Sequence, residues 1–227
     1  MNYKFDFNSV LAAWPRLLEG AWLTIELSAI SILLGFMLGT LCAIGRNSRI
    51  GLLKGIVGAY IEVIRNTPLL VQVFLVYFGL ASIGVKLSAD VAAVIALVLN
   101  IGAYTTEIMR AGISSIHRGQ IEAAECLGMS PLHVYWHVVL LPAVERVYPA
   151  LTSQFILLML ASSITSQIST EELTATANIV QSETFRSFEV YLLVAVAYLL
   201  LSFLFRGVFW LIGQSVFTRK RKLGTSI

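Results

Sequence analysis

The run "VYLLVAVAYLLLSFLF", residues 190–205, carries no charge at any position and constrains the fold more than any other feature of this chain. A backbone surrounded by hydrocarbon must satisfy its own N–H and C=O groups, and within a single segment only a helix does so. "AVIALVLNIGAYTTEIM", residues 93–109, is nearly as apolar, with Glu107 near its end as its one charge. Composition agrees: 57% of the 227 residues are hydrophobic, 13% are charged and the mean hydropathy is +0.81, the balance of a membrane protein. About 20 apolar residues cross a hydrocarbon core. On that measure five spans are expected, at 21–43, 67–83, 89–109, 149–168 and 190–212. The fold class is all-α and integral to the membrane, with an N-terminal periplasmic or interfacial segment at 1–19 and a basic cytoplasmic tail at 214–227.

Charge orients these spans. Arg46, Arg49, Lys54, Arg65, Arg110, Arg118, Arg146 and the terminal "RKRK" fall on one set of flanks, and only Lys4, Arg16, Lys86 and Arg186 on the other. Basic residues stay on the cytoplasmic side, so the N-terminus is expected outside and the C-terminus inside. The first twenty residues include Asp6, Asn8, Pro15 and Glu19 and lack the pattern of a cleaved signal, so the first span is expected to remain. The net charge of +3 follows from this asymmetry and calls for no nucleic acid. Cys42 and Cys126 show no metal or redox spacing. No GxxxxGK[ST] loop or HExxH motif is present, so the chain is not expected to be an enzyme or to hydrolyse ATP.

Local signals place the breaks. Ser31, Gly35, Gly39 and Ala43 form a small-residue stripe suited to close packing within the chain. Asn66 or Thr67 is expected to cap a helix that opens at Pro68. Glu107 and Arg110, three apart, can pair on one helical face. The stretch from Arg118 to His137 reads as helix, turn at Gly128, helix, with Ser130 as N-cap, Pro131 at the first helical position, and Pro142 ending or kinking the second helix. Five helices give too little wall to shield a polar route, so a partner of similar build is expected.

"EAAECLGM" after "SSIHRGQI", with "VVLLPA" beyond it, resembles the cytoplasmic EAA loop, here 112–142, of the membrane subunits of bacterial ABC importers. "YIEVIRNTPLLVQVFLVYFGL", "LNIGAYTTEIMRAGISSIHRGQIEAAECLGMS" and "FRSFEVYLLVAVAYL" are similar to the polar amino acid permeases of histidine, glutamine or arginine type, so the resemblance covers about residues 20–213. It implies a type I ABC importer transmembrane domain of five helices with a cytoplasmic coupling helix. The implied partners are two ATP-binding cassette subunits, which carry the ATP and Mg, a second permease copy or paralogue, an external substrate-binding protein and an amino acid solute. This chain itself would bind no cofactor and no metal. A short surface helix seated in a groove transmits movement rigidly. On the resemblance, Glu122 pairs with a cation of the ATPase, Ala123 and Ala124 permit close approach, Gly128 makes the turn and Pro142 completes the coupling set. Leu141 and Pro142 stand one residue further from the glycine than is common in the family.

The run "ASSITSQIST", residues 161–170, closes the fourth span with groups that must face protein or water. Ser162, Ser163, Thr165, Ser166 and Gln167 are candidates for a solute-facing wall, although Ser and Thr also bond back to their own helix. Gln72 and Asn100 are second-tier candidates. Leu160 and Ala161 occupy the places where this family often carries a Lys-Asp pair. An ion-gradient-driven carrier is the alternative function, and a scaffold or receptor without transport a further one; for the carrier, Glu26 is the acid that lies well inside a span.

Overall fold

The computed structural model describes residues 5–46, 48 and 50–217; Lys4, Arg49 and the basic run of the tail lie outside them. Among the described residues the chain is helical with no strand. Its helices are α1 (Asn8–Leu11), α2 (Trp14–Arg46), α3 (Gly51–Arg65), α4 (Leu69–Ser82), α5 (Ala89–Ser114), α6 (Arg118–Cys126), α7 (Pro131–Ile168), α8 (Leu173–Thr184) and α9 (Ser187–Val216). Each of α2, α5, α7 and α9 is long and apolar enough to cross a membrane alone.

Within the expected span at 67–83 lies α4, and the chain counts four such helices among the described residues, or five if the bent pair of α3 and α4 is one span. Helix α4 has 14 residues, Leu69–Ser82, and qualifies only together with α3, from which it is bent by 111°. At 1.5 Å per residue α4 is about 21 Å long, too short for a core of about 30 Å. The break has local causes. Asn66 ends α3, its side-chain Nδ2 donating to the Glu62 carbonyl at 2.8 Å, so it caps the preceding helix and not the following one. Pro68 sits in extended conformation at the N-cap of α4, outside the helix proper.

Helix α7 decides between the two alternatives expected at Pro142, an end or a local distortion. Pro142 does not end it: the chain runs as one helix from Pro131 to Ile168. A proline crowds the carbonyl four residues back and offers it no N–H. The turns immediately ahead, Val134–Leu140, widen to π-helical form and take up that crowding. At the other end Ser162–Ile168 tightens to 3₁₀ geometry and stops at Ser169, whose φ is 65°.

Two compact units are present. The first comprises the N-terminal stretch through Leu33, Thr67–Val98 and Ile156–Arg206. Its apolar centre is Val73 of α4, Ala92, Ala93 and Ala96 of α5, and Ile168, all buried. The second comprises Leu34–Asn66, Leu99–Phe155 and the stretch from Gly207 onward. Here the small residues of α2 do what their spacing predicts. Gly35, Gly39 and Ala43 are buried, as is Ser31 in the first unit, and a Cβ on Gly39 would lie 2.7 Å from the Gly102 carbonyl oxygen of α5. Only a missing side chain lets the two backbones approach this closely.

Candidate functional site

Helix α6 is closed by hydrogen bonds at both ends, by a side chain at its start and by backbone at its end. His117 Nδ1 accepts the N–H of Gly119 at 3.2 Å at its start. At its end Gly128 has φ +76°, its N–H donating to the Glu125 carbonyl at 2.9 Å while the N–H of Met129 donates to the Ala124 carbonyl at 3.2 Å. This paired closure is the Schellman stop, and it needs the left-handed residue that glycine supplies without strain. The inner face is apolar: Ile121 packs on Ile116, Val139 and Ala143. Ala124 is buried within the chain, so of the two alanines only Ala123 remains beside exposed Glu122 on the open face. Ser130 occupies the N-cap of α7 with Pro131 following, yet its Oγ lies 2.9 Å from His133 Nδ1 and caps no backbone N–H. Pro142 is half-buried in α7.

Leu127 escaped the sequence reading. It stands 83% exposed at the tip of the turn, and Leu132 and Trp136 of α7 are exposed as well. The available signal was a leucine placed next to a helix-stopping glycine, where its side chain has no partner turn to cover it.

The polar run at the end of α7 is satisfied internally. The hydroxyls of Ser162, Ser163, Thr165 and Ser166 donate to the carbonyls of Met159, Leu160, Ser162 and Ser163 at 2.7, 2.8, 2.7 and 2.7 Å. Each bond runs three residues back, matching the tightened 3₁₀ turns. The protons are therefore engaged, and what these hydroxyls retain is acceptor lone pairs. Gln167 is exposed, its Nε2 at 3.4 Å from Ser166 Oγ. Buried Gln72 donates through Nε2 to both the carbonyl and the hydroxyl of Thr67, at 3.0 Å each, tying α4 to its own entry. Asn100 is buried in α5.

A second polar centre lies at the start of α8. Glu172, fully buried, caps the helix by accepting the N–H of Ala175 at 2.9 Å through Oε1 and accepts the Tyr198 hydroxyl at 2.7 Å through Oε2. Tyr198 also lies 2.7 Å from Thr174 Oγ1. Thr24 of α2 accepts the N–H of Leu173 at 3.1 Å, and Gly20 makes room: a Cβ there would meet Thr176 Oγ1 at 2.6 Å. Burial pushes the Glu172 carboxyl above the usual range, against the opposing pull of its hydrogen bonds. Its sequence signal was weak, since an acid before a helix is common. The acid singled out from sequence, Glu26, is exposed, whereas Glu189 near the start of α9 is fully buried, accepts the N–H of Asp6 at 3.0 Å and lies 3.8 Å from Arg186. No group of three or more His, Cys, Asp or Glu among the described residues is placed to hold a metal ion.

The family model for the binding-protein-dependent transport system inner membrane component matches residues 32–218. The chain belongs to this family. Among relatives of this permease, the nopaline transport system permease protein NocM of Agrobacterium fabrum is 34% identical over 208 residues, covering 87% of this chain and 86% of its own. The glutamine transport system permease protein GlnP of Escherichia coli is 34% identical over 201 residues, covering 88% of this chain and 92% of its own. A crystal structure of an amino acid ABC transporter with histidines matches with TM-score 0.84 and 37% identity over 94% of this chain and all of that one. The MetNI methionine ABC transporter in an inward-facing conformation matches at TM-score 0.70 and 21% identity over 88% of this chain and 95% of that one, a likeness of fold. The permease is thus a multi-pass inner membrane component with the type I importer fold, a transport subunit and not an enzyme, with ATP hydrolysis left to a separate subunit. The alternative of an ion-gradient-driven carrier finds no support in this membership.

Proposed function

We propose that this permease serves an ATP-driven importer of an amino acid or a related small polar solute, working with two ATP-binding cassette subunits, a second permease copy or paralogue and an external binding protein. ATP and Mg belong to the cassette subunits. Charge asymmetry supports an outside N-terminus and a cytoplasmic C-terminus. The names of NocM and GlnP and the matched amino acid transporter support the solute class.

The observation that carries the coupling role is the exposed face of α6 on a rigid mount. Glu122 and Ala123 are exposed, Leu127 projects at 83% exposure, and both helix ends are closed by hydrogen bonds. Leu127 is the apolar anchor of this docking face, Glu122 its ion-pairing group, and Gly128 with buried Ala124 holds the turn in shape. Pro142 continues α7 from the docking region toward the spanning segment. ATP-driven movement of the cassettes then shifts the permease between states by differential binding. In the first unit Ser163, Ser166 and Gln167 face the solute route, the hydroxyls offering acceptors to an ammonium group and Gln167 an amide; Gln72, Ser162 and Thr165 are buried behind them, and Asn100 is a candidate within the second unit. The test is Leu127→Asp in reconstituted vesicles containing the full transporter. Loss of cassette association and of ATP-dependent uptake, with an unchanged melting temperature, is expected; full uptake would remove Leu127 and this face from the coupling role.

A further inference from the structure

We propose that a cavity in the second unit, walled by the ends of α2, α3 and α5, binds the phosphate of an anionic phospholipid. The cavity has a volume of about 390 Å³ and is lined by Arg46, Lys54, Ile61, Glu62, Arg65, Glu107 and Arg110. Four cations face two carboxylates, so the wall carries a positive excess. The carboxylates are engaged by their own neighbours. Arg110 forks onto Glu107, Nε at 3.2 Å from Oε1 and Nη2 at 2.9 Å from Oε2, and Glu62 Oε2 accepts from Asn66 Nδ2 at 3.0 Å. What remains over is positive. Among the described residues Lys54 has no partner for its ammonium.

The cations are held in place. Arg46 donates to the Lys54 carbonyl at 2.8 Å, and its guanidinium lies on Gly58, where a Cβ would collide with Nη1. Arg65 stacks over the Tyr104 ring at 5.4 Å and stands 4.0 Å from Glu107. A fixed fork of guanidinium donors suits phosphate oxygens, and a flexible lysine beside it adds a point charge.

Helix α3 decides for a lipid over a free anion. Leu52, Leu53, Ile56 and Val63 are exposed on the same helix that supplies Lys54 and Arg65 to the cavity. An exposed leucine-rich face next to a basic pocket matches a molecule with acyl chains and an anionic head, and basic pockets between membrane helices take such heads. This assignment is independent of the solute and of the coupling helix, since its test reads lipid and not transport.

The purified full chain, in nanodiscs of phosphatidylcholine with increasing phosphatidylglycerol, is analysed by native mass spectrometry for retained lipid. Wild type retains phosphatidylglycerol in preference to phosphatidylcholine. Lys54→Gln, which removes no internal contact, lowers that preference about five-fold, the size expected for one basic residue at an anionic surface. Arg46→Gln lowers it as much or more, and Arg118→Gln on exposed α6 leaves it unchanged. Equal retention by Lys54→Gln and Arg118→Gln overturns the site. Displacement of the lipid by millimolar inorganic phosphate, with no preference among headgroups, overturns its assignment to lipid.

Discussion

The α6 turn and the α8 cap are both short polar elements in an apolar chain, and they are built in opposite ways. At the end of α6 the backbone does the holding: the Gly128 and Met129 N–H groups close the turn, and the side chains of Glu122, Ala123 and Leu127 stay exposed. At α8 the side chains do the holding: Glu172 and Thr24 accept the free backbone N–H groups of the first turn, Tyr198 donates to Glu172, and the cap is buried. On the docking role proposed for α6, the difference separates an element that offers its side chains to a partner from one that spends them on its own fold. Rigid backbone with free side chains leaves chemistry for a partner, while consumed side chains leave none.

Substitutions at the two places should separate sharply. Glu172→Ala has the largest expected effect on the fold, about 3 kcal/mol, because Tyr198 and the Ala175 N–H lose a buried acceptor. Thermal unfolding in detergent checks it, and a melting temperature equal to wild type would show that the buried cap is as dispensable as an exposed turn. Leu127→Asp is expected to leave that melting temperature alone while weakening cassette association by about 2 kcal/mol, roughly 30-fold, as loss of an interface anchor does. Co-purification of the complex reads it. Gly128→Val comes next. A β-branched residue at φ +76° carries about 1–2 kcal/mol of strain. It should slow uptake by disturbing the turn, with a modest fall in melting temperature.

The smallest expected effect is a pH response. Arg16 forks onto Glu183 at 2.6 and 3.1 Å, and this hydrogen bond, with the charge behind it, holds the Glu183 carboxyl below its usual range. A depressed carboxyl contributes stability above the unfolded value of about 4.3 and loses it as pH falls through the lower folded value. Both groups are exposed, so salt screens the pair. Melting temperatures of wild type and Glu183→Gln should draw together as pH falls below the unfolded value of about 4.3 and through the lower folded one, and they should also converge in high salt.

Much of this was legible in the sequence because it rests on local rules. The apolar runs required helices, Gly128 required the left-handed turn, the α2 stripe required a close neighbour, and Glu107 and Arg110 pair as their spacing of three allows. The errors arose where neighbours decide. Asn66 could cap either flanking helix and caps the earlier one. Ala123 and Ala124 are chemically alike, and only packing told the buried one from the exposed one.

By itself, then, the sequence determined a membrane-embedded helical chain, its close-packing stripe, its polar turn and its family pattern, since each depends on residues near one another along the chain. Tertiary structure alone decided which acid is buried, which leucine projects and which cations share a cavity. Glu26 stood out in the sequence and Glu172 did not, yet Glu26 is exposed and Glu172 sits at zero exposure with hydrogen-bonding partners on both oxygens. A charge in an apolar chain is stable only with partners, and Tyr198 stands far from Glu172 in sequence, so no local pattern could have announced the pair.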